Sequence, residues 1–309
     1  RAAMTEFLEA LKNNDLTAMY AMLSSESRAA VTQDVFLTKY NDALNTMSAA
    51  DIEYSINSSL LSPDAAEVAY NIIYKTVLAG DLQRDIVAHL VKEDGAWKVQ
   101  WDDSLILPEL AGGNQLAMEY SIPARGDIYG REVLPIVSQA DAFAFGIQTD
   151  QIDLEMINTL VTDLGKLCGY DPEYIRDQID AAGPGWYLPM CEGTRAEAQR
   201  LLSINPGGLV VADYQSRYYY DTGLAPQAVG FTLSISPEQL NEYRRLGYDG
   251  SEKVGAQGIE KWAEDYLAGQ HGGILRVVTP TGQILATLGQ SSPQPADSVY
   301  LTLNNNMQS

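Results

Sequence analysis

Ile86-Val87-Ala88-His89-Leu90-Val91, then Glu93-Asp94-Gly95, then Trp97-Lys98-Val99-Gln100-Trp101: the run reads as a strand, a turn and a second strand. Asp-Gly suits a tight hairpin because both residues tolerate a left-handed backbone. Trp97, Val99 and Trp101 recur at the period of two that puts side chains on one face of a sheet. Upstream, Ile52, Tyr54 and Ile56 alternate with polar residues, and Val68, Tyr70, Ile72 and Tyr74 do so after the Pro63-Asp64 turn. Before them the period is helical. Phe7, Leu8 and Leu11 make one apolar face, Leu16, Met19, Tyr20 and Leu23 a second, and Phe36, Tyr40, Leu44 and Met47 a third. Helices followed by a curved antiparallel meander predict an α+β, cone-shaped domain, which we assign to residues 1–107.

A second domain, residues 108–309, is expected to begin near Pro108, with Gly112-Gly113 as a linker or hinge. Strand signals recur at 115–122, 139–147, 208–219, 225–234, 273–279, 283–289 and 298–304, with Thr279-Pro-Thr-Gly282 as a hairpin turn. A helical insert is expected at about 150–204, built from 154–167, 171–181 and Thr194 to Leu202. Ser236-Pro237 opens a further helix, with proline in its first turn. Ile259, Trp262, Tyr266 and Leu267 are expected to form the buried stripe of another. The second domain is thus an elongated, mixed α+β unit.

With 309 residues there is chain enough for two cores. The net charge of −21 argues against a nucleic-acid partner, since phosphate binding needs clustered Lys and Arg, and the only adjacent basic pair is Arg244-Arg245. No run of 18 apolar residues exists to span a membrane. Arg1 opens a helix-like segment and the chain stops soon after the strand-like Val299-Tyr-Leu-Thr-Leu303, so the natural protein is expected to be longer in both directions. Cys168 and Cys191 are the only cysteines. They either form a disulfide, worth about 3 kcal/mol in the loop-closure model, or stay as two half-buried thiols. With His89 and His271 they lack the spacing of a zinc site, and no metal or other cofactor is expected.

A Ser-x-x-Lys nucleophile needs serine one helical turn before lysine. The residues three positions before the eight lysines are Glu9, Phe36, Ile72, His89, Gly95, Asp163, Gly250 and Gly258, and none is serine. No nucleophile elbow, Walker loop or His-Glu-x-x-His stands in for it. His89 has two readings: a general acid–base in a cone pocket, or, favoured, a half-exposed strand histidine. Asp102 and Asp103 point to opposite faces if extended and fit a turn cap better than an acid–base pair. Trp97 with Trp101, and Tyr218-Tyr219-Tyr220, fit either sugar stacking or, for the tryptophans, the core face of a strand. The tyrosine run leaves at least one ring exposed beside Arg217, a plausible protein contact.

Three segments carry more. Arg125-Gly-Asp-Ile-Tyr-Gly-Arg131 surrounds a strand with two arginines and two glycines. Arg217-Tyr-Tyr-Tyr-Asp-Thr-Gly-Leu-Ala-Pro-Gln-Ala-Val-Gly230 follows, then Gly255-Ala-Gln-Gly-Ile-Glu-Lys-Trp-Ala-Glu-Asp-Tyr-Leu-Ala-Gly269. A guanidinium grips a carboxylate bidentately, so a buried lock between an arginine and Glu260 is the expected structural role of the set.

In this order the segments resemble the dimerisation, or pedestal, domain of class B penicillin-binding proteins. Arg125, Gly126, Ile128 and Arg131 match that family's Arg-Gly-x-Ile-x-Asp-Arg, with Gly130 in place of its Asp. Arg217 to Gly230 matches a second family segment, with Tyr220 where Pro is usual. Gly255, Gly258, Ile259, Glu260, Leu267 and Gly269 match a third. Val299-Tyr-Leu-Thr-Leu303 with Met307-Gln308 resembles the lead into a transpeptidase domain. Residues 1–107 resemble the NTF2-like domain that precedes the pedestal in low-affinity members, most strongly in the stretch Trp97-Lys-Val-Gln-Trp-Asp-Asp-Ser-Leu-Ile-Leu-Pro108 that closes them.

The resemblance implies a parent D,D-transpeptidase that penicillins acylate, with a membrane anchor before Arg1, an extracytoplasmic location and a catalytic serine after Ser309. This chain would then be a non-catalytic stalk. Its partners would be its own transpeptidase domain and cell-wall synthesis proteins such as a polytopic glycosyltransferase. Arg125, Gly126, Arg131, Arg217, Gly258 and Glu260 would be structural, near the junction with the catalytic domain. The competing readings are a small-molecule-binding or enzymatic NTF2-like cone with an accessory domain, and a secreted adhesion or scaffold protein.

Overall fold

A computed structural model describes residues 1–220 and 223–304. The chain forms two compact units that do not follow chain order: Arg1–Arg125 with Pro226–Asp297, and Gly126–Ala225 with the chain from Ser298 onward.

In the first unit, α1 (Ala2–Lys12), α2 (Leu16–Ala21), α3 (Ser25–Ala30) and α4 (Gln33–Thr46) come first. Asp15, Ser24 and Thr32 start the last three, each side chain accepting from a first-turn N–H that would otherwise lack a partner. Four antiparallel strands follow in the order β1 (Ala49–Leu61), β2 (Ala65–Thr76), β3 (Gly80–Glu93) and β4 (Ala96–Gln100). Asp94 and Gly95 turn β3 into β4 with φ of 51° and 83°, as a primed hairpin turn requires. Along β2, Val68, Tyr70, Ile72 and Tyr74 are buried, the alternation of a sheet with one face on the core. Side chains fill the cone. The Phe36 ring lies 4.9 Å from Tyr40 and 5.0 Å from Trp101. Trp101 Nε1 donates to the Tyr40 hydroxyl at 3.1 Å, and the Tyr74 hydroxyl donates to the Ile106 carbonyl at 2.8 Å.

The same unit contains a three-stranded antiparallel sheet made of β5 (Gln115–Ser121), β12 (Gly272–Val278) and β13 (Ile284–Ser291), with β12 in the middle. Leu275 of β12 joins the cone's own hydrophobic core, and Leu116, Met118 and Leu288 pack against it. That shared core joins β5, β12 and β13 to the first 107 residues, and the compact unit as a whole takes in 226–297, across the chain boundary expected near Pro108.

Two expectations fail in this region. The strand expected at 225–234 is a short helix, α8 (Pro226–Val229), and a three-residue strand, β10 (Thr232–Ser234), paired with β11 (Lys253–Gly255). Pro226 lacks the N–H a ladder needs but fits a helix's first turn. After α9 (Leu240–Arg245) come α10 (Gly258–Trp262) and α11 (Glu264–Leu267). Here Trp262 and Tyr266 are 75% and 57% exposed, while Glu260, Ala263 and Leu267 are fully buried. Of the expected stripe Leu267 is buried but the two aromatics face out, because Glu260 takes an inward position beside Ala263 and Leu267.

In the second unit, β7 (Pro135–Ile152) is the spine, pairing antiparallel with β6 (Ile128–Tyr129), β8 (Tyr187–Gly193) and β9 (Gly207–Tyr219). The expected strand at 298–304 reduces to β14 (Val299–Tyr300), parallel to β6. Met307-Gln308 lies outside the described residues. Helices α5 (Ile157–Cys168), α6 (Pro172–Ala181) and α7 (Arg195–Ile204) bury Leu160, Leu164, Ile175 and Leu201 with Phe145 and Ile147 of β7. The insert at 150–204 is therefore not wholly helical, since β8 runs through it. A disulfide joins Cys168, at the end of α5, to Cys191 in β8.

Closing a loop of sequence separation 23 restrains the unfolded chain, so replacing both Cys168 and Cys191 with serine is expected to cost about 3 kcal/mol. Urea unfolding of the variant, beside the wild type with and without reductant, checks this. An unchanged midpoint would mean that the bridge contributes nothing to stability.

Candidate functional site

A buried ionic site lies in the first unit, where Arg125 follows β5 and meets α10 and α11. Its Nε donates to Glu260 Oε2 at 3.0 Å, and its Nη2 donates to the Glu260 carbonyl at 3.0 Å. The other side of the fork grips Glu264, Nη1 to Oε1 at 3.0 Å and Nη2 to Oε2 at 2.8 Å. The side chains of Arg125, Glu260 and Glu264 are 10%, 0% and 17% exposed. Burial works against the charge on Arg125, but Glu264 and Glu260 outweigh it and hold its pKa above the ordinary arginine value.

Two carboxylates against one guanidinium leave oxygens to satisfy. The Tyr248 hydroxyl donates to Glu264 Oε1 at 3.1 Å, and the Gly255 N–H donates to Oε2 at 2.8 Å. Glycine is required for that approach, since a Cβ on Gly255 would lie 2.0 Å from the Glu260 carbonyl oxygen. Gly258 opens α10 at φ 63°, and a Cβ there would lie 2.5 Å from the Ala228 carbonyl oxygen. The sequence segment Gly255 to Gly269 thus supplies both the acids and the close backbone packing that buries them.

The other residues singled out from the sequence are dispersed. Arg217, on β9, donates through Nη1 to the Gly126 carbonyl at 2.6 Å, so Gly126 takes part through its backbone. Arg131 is exposed and grips neither carboxylate of the lock, its backbone N–H bonding the Leu303 carbonyl at 2.8 Å. Tyr218 is the exposed ring of the tyrosine run. Asp102 caps the turn after β4, its Oδ1 accepting from the Ser104 N–H at 2.8 Å, while Asp103 pairs with Lys39 at 2.7 Å. His89 is 58% exposed beside Glu67, so it does not point into the cone, whose interior is already filled. The reading of the cone as a binding or catalytic pocket loses its key residue on that observation.

Glu264 was not anticipated. Its signal was available: two acids four residues apart share a helical face and call for a cation from elsewhere. Tyr248, Asp249, Glu252 and His271 also gather beside the lock, and nothing in their spacing announced it. Among the described residues no group of three or more His, Cys, Asp and Glu side chains is placed to hold a metal, and no helix is long and apolar enough to cross a membrane.

Comparison with known proteins gives this geometry a family. The model of the penicillin-binding protein dimerisation domain matches residues 120–301, and that of an NTF2-like N-terminal transpeptidase domain matches residues 1–114. The chain belongs to the penicillin-binding protein dimerisation-domain family and is homologous to the N-terminal region of class B penicillin-binding proteins. It is 20% identical to penicillin-binding protein 3 of Bacillus subtilis, over 97% of this chain and 46% of that protein. It is 23% identical to the peptidoglycan D,D-transpeptidase MrdA of Escherichia coli K12, over 63% of this chain and 32% of that one. The chain therefore spans less than half the length of these relatives. Among solved structures, a complex between penicillin-binding protein PBP2 and MreC from Helicobacter pylori aligns at a TM-score of 0.40 and 21% identity, covering 63% of this chain and 37% of that chain.

Replacing Arg125 by alanine strands two buried carboxylates, which is expected to cost about 3–5 kcal/mol. Arg125→Lys keeps the charge but loses the fork, so a smaller loss is expected. Chemical denaturation of the three proteins checks both, and an Arg125→Ala midpoint equal to the wild type would remove the lock as a source of stability.

Proposed function

We propose that this chain is the non-catalytic stalk and interaction region of a peptidoglycan D,D-transpeptidase. Residues 1–107 serve as its NTF2-like domain and 108–309 as its pedestal. The observation that carries the reading is collinearity: both family matches fall in this order, and one relative aligns along 97% of the chain. In this reading a membrane segment before residue 1 anchors the protein on the extracytoplasmic face, and a catalytic domain follows. Arg125, Gly126, Arg131, Arg217, Gly258 and Glu260 serve structure near that junction rather than chemistry. Exposed rings, among them Tyr218, Trp262 and Tyr266, suit contact with cell-wall synthesis proteins such as a polytopic glycosyltransferase, because aromatic side chains are enriched at protein interfaces.

Incubated with excess penicillin, the chain of residues 1–309 is expected to keep its intact mass, while the full-length protein gains one covalent adduct. A stoichiometric adduct on residues 1–309 would place the nucleophile here and overturn the stalk reading.

A further inference from the structure

Beside the arginine lock, the segment between α9 and β11 folds back onto the start of β12. Its Asp249 makes a local turn, Oδ1 accepting from the Ser251 N–H at 2.6 Å and from the Ser251 hydroxyl at 2.8 Å. Its Glu252 turns inward, and Oε2 accepts from the Gly250 N–H at 2.9 Å. The other oxygen, Oε1, is buried without a hydrogen-bond partner and lies 3.6 Å from His271 Nε2. His271 begins β12's approach and is 6% exposed, with Glu252 at 12%. The His271 ring meets Tyr248 edge-on, centroids 4.5 Å apart, and Tyr248 donates to Glu264 of the lock.

We propose that Asp249, Glu252 and His271 form a proton-operated latch: a proton shared within the cluster fastens residues 247–255 to β12, and losing it as pH rises loosens the segment and its Tyr248–Glu264 contact.

The chemistry follows from two buried acids and an imidazole in one place. Burial raises Glu252 most, and the neighbouring Asp249 adds to it, pushing the Glu252 carboxyl up to about 7. Burial also works against charge on Asp249, but the Glu252 carboxyl, the Ser251 N–H and hydroxyl and His271 together hold it below the ordinary range. His271 is lowered by burial, against the pull of Asp249 and Glu264. Paired acids pushed apart in this way behave as one protonated and one ionised group, and the proton belongs to the cluster rather than to one atom. Lys253, the cation of its own segment, is exposed. The charged and titratable groups around it come from neighbouring elements: Tyr120 of β5, Arg244 of α9, Tyr248, and Glu264 of α11, itself held by Arg125. Tyr248, Glu264 and His271 line an open cleft of about 580 Å³, which gives water and protons access.

The two titrations oppose each other. Glu252 has a folded pKa above its unfolded value, so its contribution is full at low pH and is lost as pH rises through about 7. His271 has a folded pKa below its unfolded value, so its contribution is full above that unfolded value and is lost as pH falls. Glu252→Gln keeps the shape of the protonated acid and removes only the first of these.

Backbone hydrogen exchange over residues 247–255, corrected for intrinsic rates and taken at pH 6 and pH 8, separates them. Relative to Glu252→Gln, wild-type protection is expected to fall by about tenfold between those pH values. A ratio constant to within about twofold, read with the same principle, overturns the latch. Should the variant not fold, the wild type alone still decides the matter by NMR of the His271 ring. Its titration midpoint is expected below the ordinary histidine value. A midpoint at or above that value puts a fixed imidazolium against Glu252 and overturns the proposal equally.

Discussion

A guanidinium taken out of water must bring its counter-charges with it, because an unpaired buried ion costs several kcal/mol. Arg125 brings two, Glu260 and Glu264, and their needs propagate. The spare oxygens of Glu264 call for Tyr248 and for the N–H of Gly255. The close backbone approach calls for glycine at 255 and 258. Helices α10 and α11 must then turn acids rather than aromatics toward the interior. One ion cluster thereby fixes the end of β5, the position of β11 and the rotation of two short helices. Its worth lies in geometry: a packed apolar cluster of equal volume is often as stable, but it would not dictate which face turns inward.

That constraint explains where the sequence was legible and where it was not. The cone was readable because its signals are local: the helical spacing of Phe7, Leu8 and Leu11 and of Phe36, Tyr40, Leu44 and Met47, the Asp94-Gly95 turn, and strict alternation along β2. The arginine–glutamate lock was readable in part, since Glu260 stands at a helix start in a glycine-rich segment. The rotation of that helix was not. Hydrophobic periodicity assumes that apolar residues face in, and Trp262 and Tyr266 satisfied the pattern while a charged partner from far along the chain reversed it. Arg131 stands outside the lock for the related reason that residue type does not tell which of two nearby arginines finds an acid. Strand β8 was hidden by Pro189 and by helical signals on both sides, and its only strong cue is a partner, β7, about forty residues earlier.

The limits of the compact units are a further consequence of long-range packing. Leu275 alternates correctly within β12, but alternation cannot say which core the strand will share. Its burial with Leu105, Ile106 and Leu107 ties β12 to the cone, so a boundary drawn by composition near Pro108 divides the chain without dividing the core. The family matches, which read sequence in order, meet at residues 114 and 120, while physical contact groups 226–297 with the cone. Both are true of the same molecule. Chain order records how the protein is specified, and contacts record what must unfold together.

The cone itself illustrates why fold and function separate. An NTF2-like cone offers a concave sheet that a pocket can occupy, yet here Phe36, Tyr40, Tyr70, Tyr74 and Trp101 fill it, and the Tyr40 and Tyr74 hydroxyls find partners inside. Burial raises Tyr40 and Tyr74 far above the ordinary phenol range, so these groups stay neutral and act as hydrogen-bonding core. The carboxyl that burial pushes up to about 7, Glu252, lies instead near the start of β12, beside the lock. Two glutamates there hold an arginine, and a third, a few residues away and without one, holds a proton. The difference between Glu264 and Glu252 is not residue type but whether a guanidinium arrives, and only the long-range fold decides that.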